Sequence, residues 1–151
     1  MALITDIADA VVTELNARQF SLPFMAVRKY LPQEDLTAMD TLHVTVVPST
    51  TRTTLVGRQA RERQFILDVA VQQKTDVDDP GKVDPLVTLA EEIETFLLGR
   101  RIDAAGVKVW CVAINEKPEG GEGTRAAFYY PHLAELRQFT SVSRFTLKVV
   151  T

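Results

Sequence analysis

In 151 residues the chain has one cysteine, two histidines and one tryptophan, and these scarcities narrow what it can do. A single thiol, Cys111, cannot close a disulfide within the chain, which points to a reducing compartment. His43, His132 and Cys111 stand at no ligand spacing, so a tetrahedral metal centre has little to build on, and no metal or cofactor is expected. No apolar run approaches the roughly 18 residues that cross a bilayer. The opening MALITDIADAVV has no basic segment and carries Asp6 and Asp9, so it does not read as a secretory signal. A basic excess is also missing. A net charge of −3 and a pI near 5.4 argue against a general nucleic-acid coat.

Catalytic patterns are equally sparse. There is no G-x-S-x-G elbow, Ser141 and Ser143 sit in a strand pattern, and Cys111 lies in the most apolar stretch, where cysteine acts as a small hydrophobe. The glycine-rich stretch 116–125 lacks G-x-x-x-x-G-K-[ST] and reads as a flexible hairpin connection rather than a phosphate cradle. Glu62 and Asp68 share one face of a strand and could serve a metal-dependent nuclease; the commoner reading is a solvated sheet face. The expectation is that the chain is not an enzyme.

What is present reads as one soluble domain spanning 1–151, long enough to bury about 70% of its unfolded surface. The opening helix spans 5–16, with Ile4, Ile7, Ala8, Val11, Val12 and Leu15 on one stripe and Thr5 as the expected N-cap. Strands are expected at 24–31, between Pro23 and Pro32; at 42–47, ended by Pro48; and at 62–73. The threonine-rich stretch 49–60 reads as a loop or a mobile hairpin extension. Asp84 followed by Pro85 marks a helix start, and that helix runs to Leu98 and stops at Gly99. A strand at 107–115, apolar on both sides, is expected to be central, and a short one is expected at 126–130.

The most informative segment is the last. A helical turn leads into a strand with Phe139, Ser141, Ser143, Phe145, Leu147 and Val149 on one face, and Thr140, Val142, Arg144, Thr146, Lys148 and Val150 on the other. A strand without a neighbour is sticky, so this feature points toward assembly. The order α-β-β-β-α-β-β predicts an α+β fold: a mainly antiparallel mixed sheet of about five strands with two helices on one face.

Two clusters are candidate contact sites. Arg52, Arg58, Arg61 and Arg63 form a local basic excess, open to two readings: contact with DNA phosphates or an acidic protein, and, more commonly, a solvated strand end. Phe128, Tyr129 and Tyr130 beside Pro131 are core packing by default, with an interface anchor as the rival.

Taken together, ITDIADAVVTELN, FMAVRKYLP, LHVTVVPSTT, RQFILDVAVQQK, DPLVTLAEEIETFLLGRR and HLAELRQFTSVSRFTLKVV resemble the tail-terminator or tail-completion proteins of tailed bacteriophages. The resemblance spans nearly the whole chain as element order and flavour rather than as a diagnostic motif. It implies a homo-oligomeric ring, commonly a hexamer, at the head-proximal end of the tail tube. Such a ring ends tube growth and joins the tail to the neck, with a head-closure or neck adaptor as the near relative. The implied partners are the tail tube protein, a neck or head-completion protein and, through the four arginines, DNA in the lumen. No membrane is involved. The implied location is the virion, assembled in the host cytoplasm. An assembly factor outside the particle is the competing class.

Overall fold

The computed structural model describes residues 3–30, 41–76, 78–114, 128, 133–134 and 136–150. The described elements are α1 (Leu3–Ala17), β1 (Ala26–Arg28), β2 (His43–Leu55), β3 (Arg61–Lys74), α2 (Pro80–Leu97), β4 (Arg101–Ala104), β5 (Val107–Ile114) and β6 (Gln138–Val150). Six strands form one sheet in the order β1-β2-β3-β6-β5-β4. Only β1–β2 is parallel; every other pairing is antiparallel. The fold is thus α+β with a mixed sheet, as expected, carrying one strand more than the five anticipated.

The core follows from strand alternation. Val44 and Val46 of β2, Phe65, Leu67, Val69 and Val71 of β3, Phe139, Phe145, Leu147 and Val149 of β6, and Val109 and Cys111 of β5 are all buried in one cluster. Ile7, Val11 and Leu15 of α1 and Leu86, Leu89, Ile93 and Leu97 of α2 complete it, so both helices cover the same sheet face. α1 packs against β1 and β2 at one edge of the sheet and against β4 at the other, so the sheet curls around it. Each edge is tied to α1 by an ion pair: Arg28–Asp9 at 2.7 Å and Arg100–Glu14 at 2.7 Å. Asn16 adds a second tie at β1, because its amide accepts from the Ala26 N–H at 2.7 Å and donates to the Ala26 carbonyl at 3.1 Å. That side chain occupies backbone groups that an edge strand otherwise leaves open. On α2, Glu94 accepts a 2.8 Å hydrogen bond from the Ser143 hydroxyl, which explains a serine on the buried face of β6.

Several expectations are corrected. Thr5 lies inside α1 and is not its cap, since the helix already begins at Leu3. α2 starts five residues before the expected Pro85: the N-cap is Asp79, whose carboxylate accepts from the Gly81 N–H at 2.9 Å, with Pro80 next. The chain has two Asp-Pro dipeptides, and the earlier one caps the helix. The expected stop holds: Leu98 caps the helix and Gly99 follows with φ +77°, a left-handed conformation that suits glycine.

β2 does not end at Pro48. It continues through an irregularity between Pro48 and Thr50. Among the described residues β1 pairs β2 only along Val44–Val46, so no described strand lies beside Pro48 on that side and its missing N–H costs no described ladder bond. β1 itself holds only three of the eight residues expected. β4 was not anticipated. It joins β5 through Ala105 and Gly106, both at positive φ (52° and 86°), a two-residue hairpin turn. β5 is next to the edge strand rather than at the sheet's centre, and Trp110 and Val112 on its outer face are exposed.

β6 has the alternating faces expected, but β3 flanks it along its length and β5 flanks its later half. It is a central strand, so the argument from an unpaired terminal strand to assembly fails. Of the short strand expected at 126–130, only residue 128 is described, and it sits in a bend. The glycine-rich stretch 116–125, Pro131 and His132 also lie outside the described residues.

Candidate functional site

The hairpin formed by β2 and β3 runs from the core at Phe65 out to an exposed turn. Pairing continues through Thr51↔Phe65, Arg52↔Gln64, Thr53↔Arg63, Thr54↔Glu62 and Leu55↔Arg61. The Val56 N–H donates to the Ala60 carbonyl at 3.0 Å and closes the turn. Every side chain from 49 to 59 is exposed, including Leu55 and Val56 at the tip. The stretch 49–60 is therefore a paired hairpin extension, not an irregular loop.

Cross-strand pairing assigns the four arginines to different faces. Arg61 and Arg63 share the face of Phe65, which is the helix side. Arg63 lies over the Phe65 ring, 5.1 Å from its centroid, and caps that buried aromatic. Arg52 pairs with Gln64 on the outer face, and Arg58 sits in the turn. The cluster is contiguous in sequence but split in space.

Arg52 belongs instead to a row that crosses five strands. Arg101↔Trp110, Trp110↔Lys148, Lys148↔Gln64 and Gln64↔Arg52 are direct partners, so these side chains lie side by side on the outer face. Trp110 is 38% exposed. Lys148 pairs with Glu62 at 3.0 Å, and Gln64 donates to the same carboxylate at 3.2 Å. No ion pair of Arg52 or Arg101 is found among the described residues. Sequence reading missed this row because Trp110 counted toward an apolar strand; Lys108, two residues earlier on the same face, was the signal that this face meets water.

The suspected carboxylate pair does not converge. Glu62 and Asp68 do share the outer face, but six residues of strand place them about 20 Å apart. Each faces its own cation. Asp68 takes two bonds from Arg144, at 2.9 and 3.3 Å, and these bonds raise the Arg144 pKa above its ordinary value. Asp9 raises that of Arg28 in the same way.

Cys111 is buried against Leu67, Val69, Leu97, Phe145 and Leu147, and desolvation pushes its thiol up to about 11. A thiol held protonated in this way is a core residue and not a nucleophile. Among the described residues no three His, Cys, Asp or Glu side chains converge as metal ligands, and no helix is long and apolar enough to cross a membrane. His43 stands at the start of β2, half-buried, with the Thr41 hydroxyl 3.3 Å from its Nε2.

Beside α2 lies an open groove of about 450 Å³, lined by Arg18, Phe20, Thr88, Glu91, Thr95 and Phe96 among others. Arg18 and Arg100 stack on Phe96, with guanidinium carbons 5.0 and 4.2 Å from the ring centroid. The groove holds no nucleophile–base pair. Phe128 is half-buried and packs on the core, and Tyr129 and Tyr130 lie outside the described residues. Neither a scan of protein-family models nor a search of curated proteins returns a match for this chain.

Proposed function

We propose that the chain is a structural ring subunit of a bacteriophage tail, of the terminator kind: it assembles on the head-proximal end of the tail tube, ends tube growth and joins the tail to the neck. The observation that supports this most directly is the hairpin extension, an ordered arm whose residues 49–59 are all exposed and which carries four arginines and an apolar tip. The exposed stretch 49–59 lies outside the core and suits contact with a neighbour. Closed rings need this kind of heterologous contact, one patch meeting a different patch on the next copy. The sheet curled around α1 supplies a rigid base from which the arm projects.

The test is solution mass by light scattering with negative-stain imaging, alone and with tail tube protein. The expected result is a closed, hexameric ring, formed directly or on the tube tip. Replacing residues 53–63 by an Asn-Gly turn, which joins the directly opposite Arg52 and Gln64, is expected to leave a folded monomer that no longer assembles. A wild-type chain that stays monomeric in both settings overturns the reading. Assembly only with a neck protein moves the subunit to the adaptor position.

A further inference from the structure

The outer sheet face is not accounted for by the ring reading. In a chain of net charge −3, this face gathers Arg52, Arg101, Lys108 and Lys148, with Glu62 and Asp103 as the nearby carboxylates. Glu62 is taken by Lys148 at 3.0 Å. Asp103, directly opposite Lys108, also accepts from the Gly106 N–H at 2.8 Å. The Arg144–Asp68 pair closes the row's flank and is internally neutral. Arg52 and Arg101, at opposite ends of the row, have no carboxylate partner among the described residues.

The chain's single tryptophan stands inside this row, between Arg101 and Lys148. An exposed indole on a sheet is costly to leave wet, and flanking cations suit a ligand that is both flat and anionic. Four strand spacings make the row about 19 Å long, the scale of the shortest single-stranded sites, at about four nucleotides. We propose that this row binds single-stranded nucleic acid, with a base stacked on Trp110 and phosphates held by Arg101 and Arg52 at its two ends. An acidic peptide matches the charge but offers no ring to the indole; a duplex offers phosphates but keeps its bases stacked inside.

The inference is independent of ring formation, because it concerns the isolated chain and reads out on Trp110 itself. The experiment titrates the purified protein with a mixed-sequence 12-mer of single-stranded DNA at low salt and follows the fluorescence of its single tryptophan. Parallel titrations use the matching duplex and polyglutamate. Quenching by the single strand is expected, with weaker binding by the duplex and none by polyglutamate, and with affinity falling steeply as salt rises. In anisotropy with labelled DNA, Trp110→Leu is expected to weaken binding at least fivefold. Arg52→Ala and Arg101→Ala should each weaken it several-fold and flatten the salt slope by about one. Lys82→Ala, on α2 at the other layer, is the unchanged control. Absence of quenching at about 100 μM DNA overturns the proposal. So does equal binding of duplex or polyglutamate with no effect of the Arg52 and Arg101 substitutions, an outcome that stays decisive if Trp110→Leu fails to fold.

Discussion

β2 and β3 form one continuous ladder through two environments. Around Val44–Val46 and Phe65–Val71 the ladder lies over the helices, and its inward side chains are buried. Beyond Pro48 the same two strands keep their pairing as far as Leu55↔Arg61, yet every side chain from 49 to 59 meets water. Backbone pairing persists wherever donors and acceptors stay in register; burial needs a second layer. Within the arm the two strands differ: the β3 half keeps Phe65 in the core and stays paired to β6, whereas residues 49–59 are held by hydrogen bonds without burial, so sequence changes in that stretch are free to serve contact rather than stability.

The sharpest way to break that comparison is to truncate one side chain in each part. Phe145→Ala, at a fully buried core position, is expected to cost about 3–5 kcal/mol by chemical denaturation. A loss below about 1 kcal/mol would mean that the sheet body is not the packed unit described.

The next effect is a pH dependence seated in the body. The folded chain holds the Cys111 thiol at about 11 against an ordinary 9.0. A raised folded value favours the protonated native state below the unfolded value and loses that advantage as pH climbs through the folded one. About 2 kcal/mol should therefore fade between roughly pH 9 and 11, and Cys111→Ala should flatten that part of the curve relative to wild type.

Asn16→Ala removes both bonds to Ala26 and should cost about 1–2 kcal/mol, with faster amide exchange at β1. Asp79→Ala deletes the α2 cap and should cost about 1 kcal/mol, whereas Asp84→Ala, one turn inside the helix, should cost less. Thr53→Ala in the arm sits at the bottom of the scale, within about 0.5 kcal/mol of wild type. A large loss there would show that the arm is part of the stability unit after all.

The parts of this fold legible in the sequence are those governed by periodicity. The stripe of α1, the inward set on β3 and the two faces of β6 were readable because each repeats a local rule over three or more turns or strand pairs. Features set by long-range pairing or by a single unusual residue were not. Nothing local tells β6 to insert between β3 and β5. Nothing local tells Pro48 that β1 has already ended beside it. β4 was hidden because Ala105 occupies a positive φ where Asn or Asp would have announced the turn. The arginines of the candidate site were visible as residues but not as a surface: alternation sends Arg61 and Arg63 to one face and Arg52 to the other, and the neighbour that completes Arg52's row, Trp110, lies on a strand nearly sixty residues away.

The burial of Cys111 has one more consequence. Because the single thiol is walled in by β3, β6 and α2 and held in its unreactive form, an alkylating reagent can reach it only when those elements part. Labelling speed in dilute reagent therefore acts as a clock for opening of the interior, with no engineered probe required. Slower labelling in the presence of any binding partner than of the free chain would measure directly how far that partner's contacts clamp the fold shut.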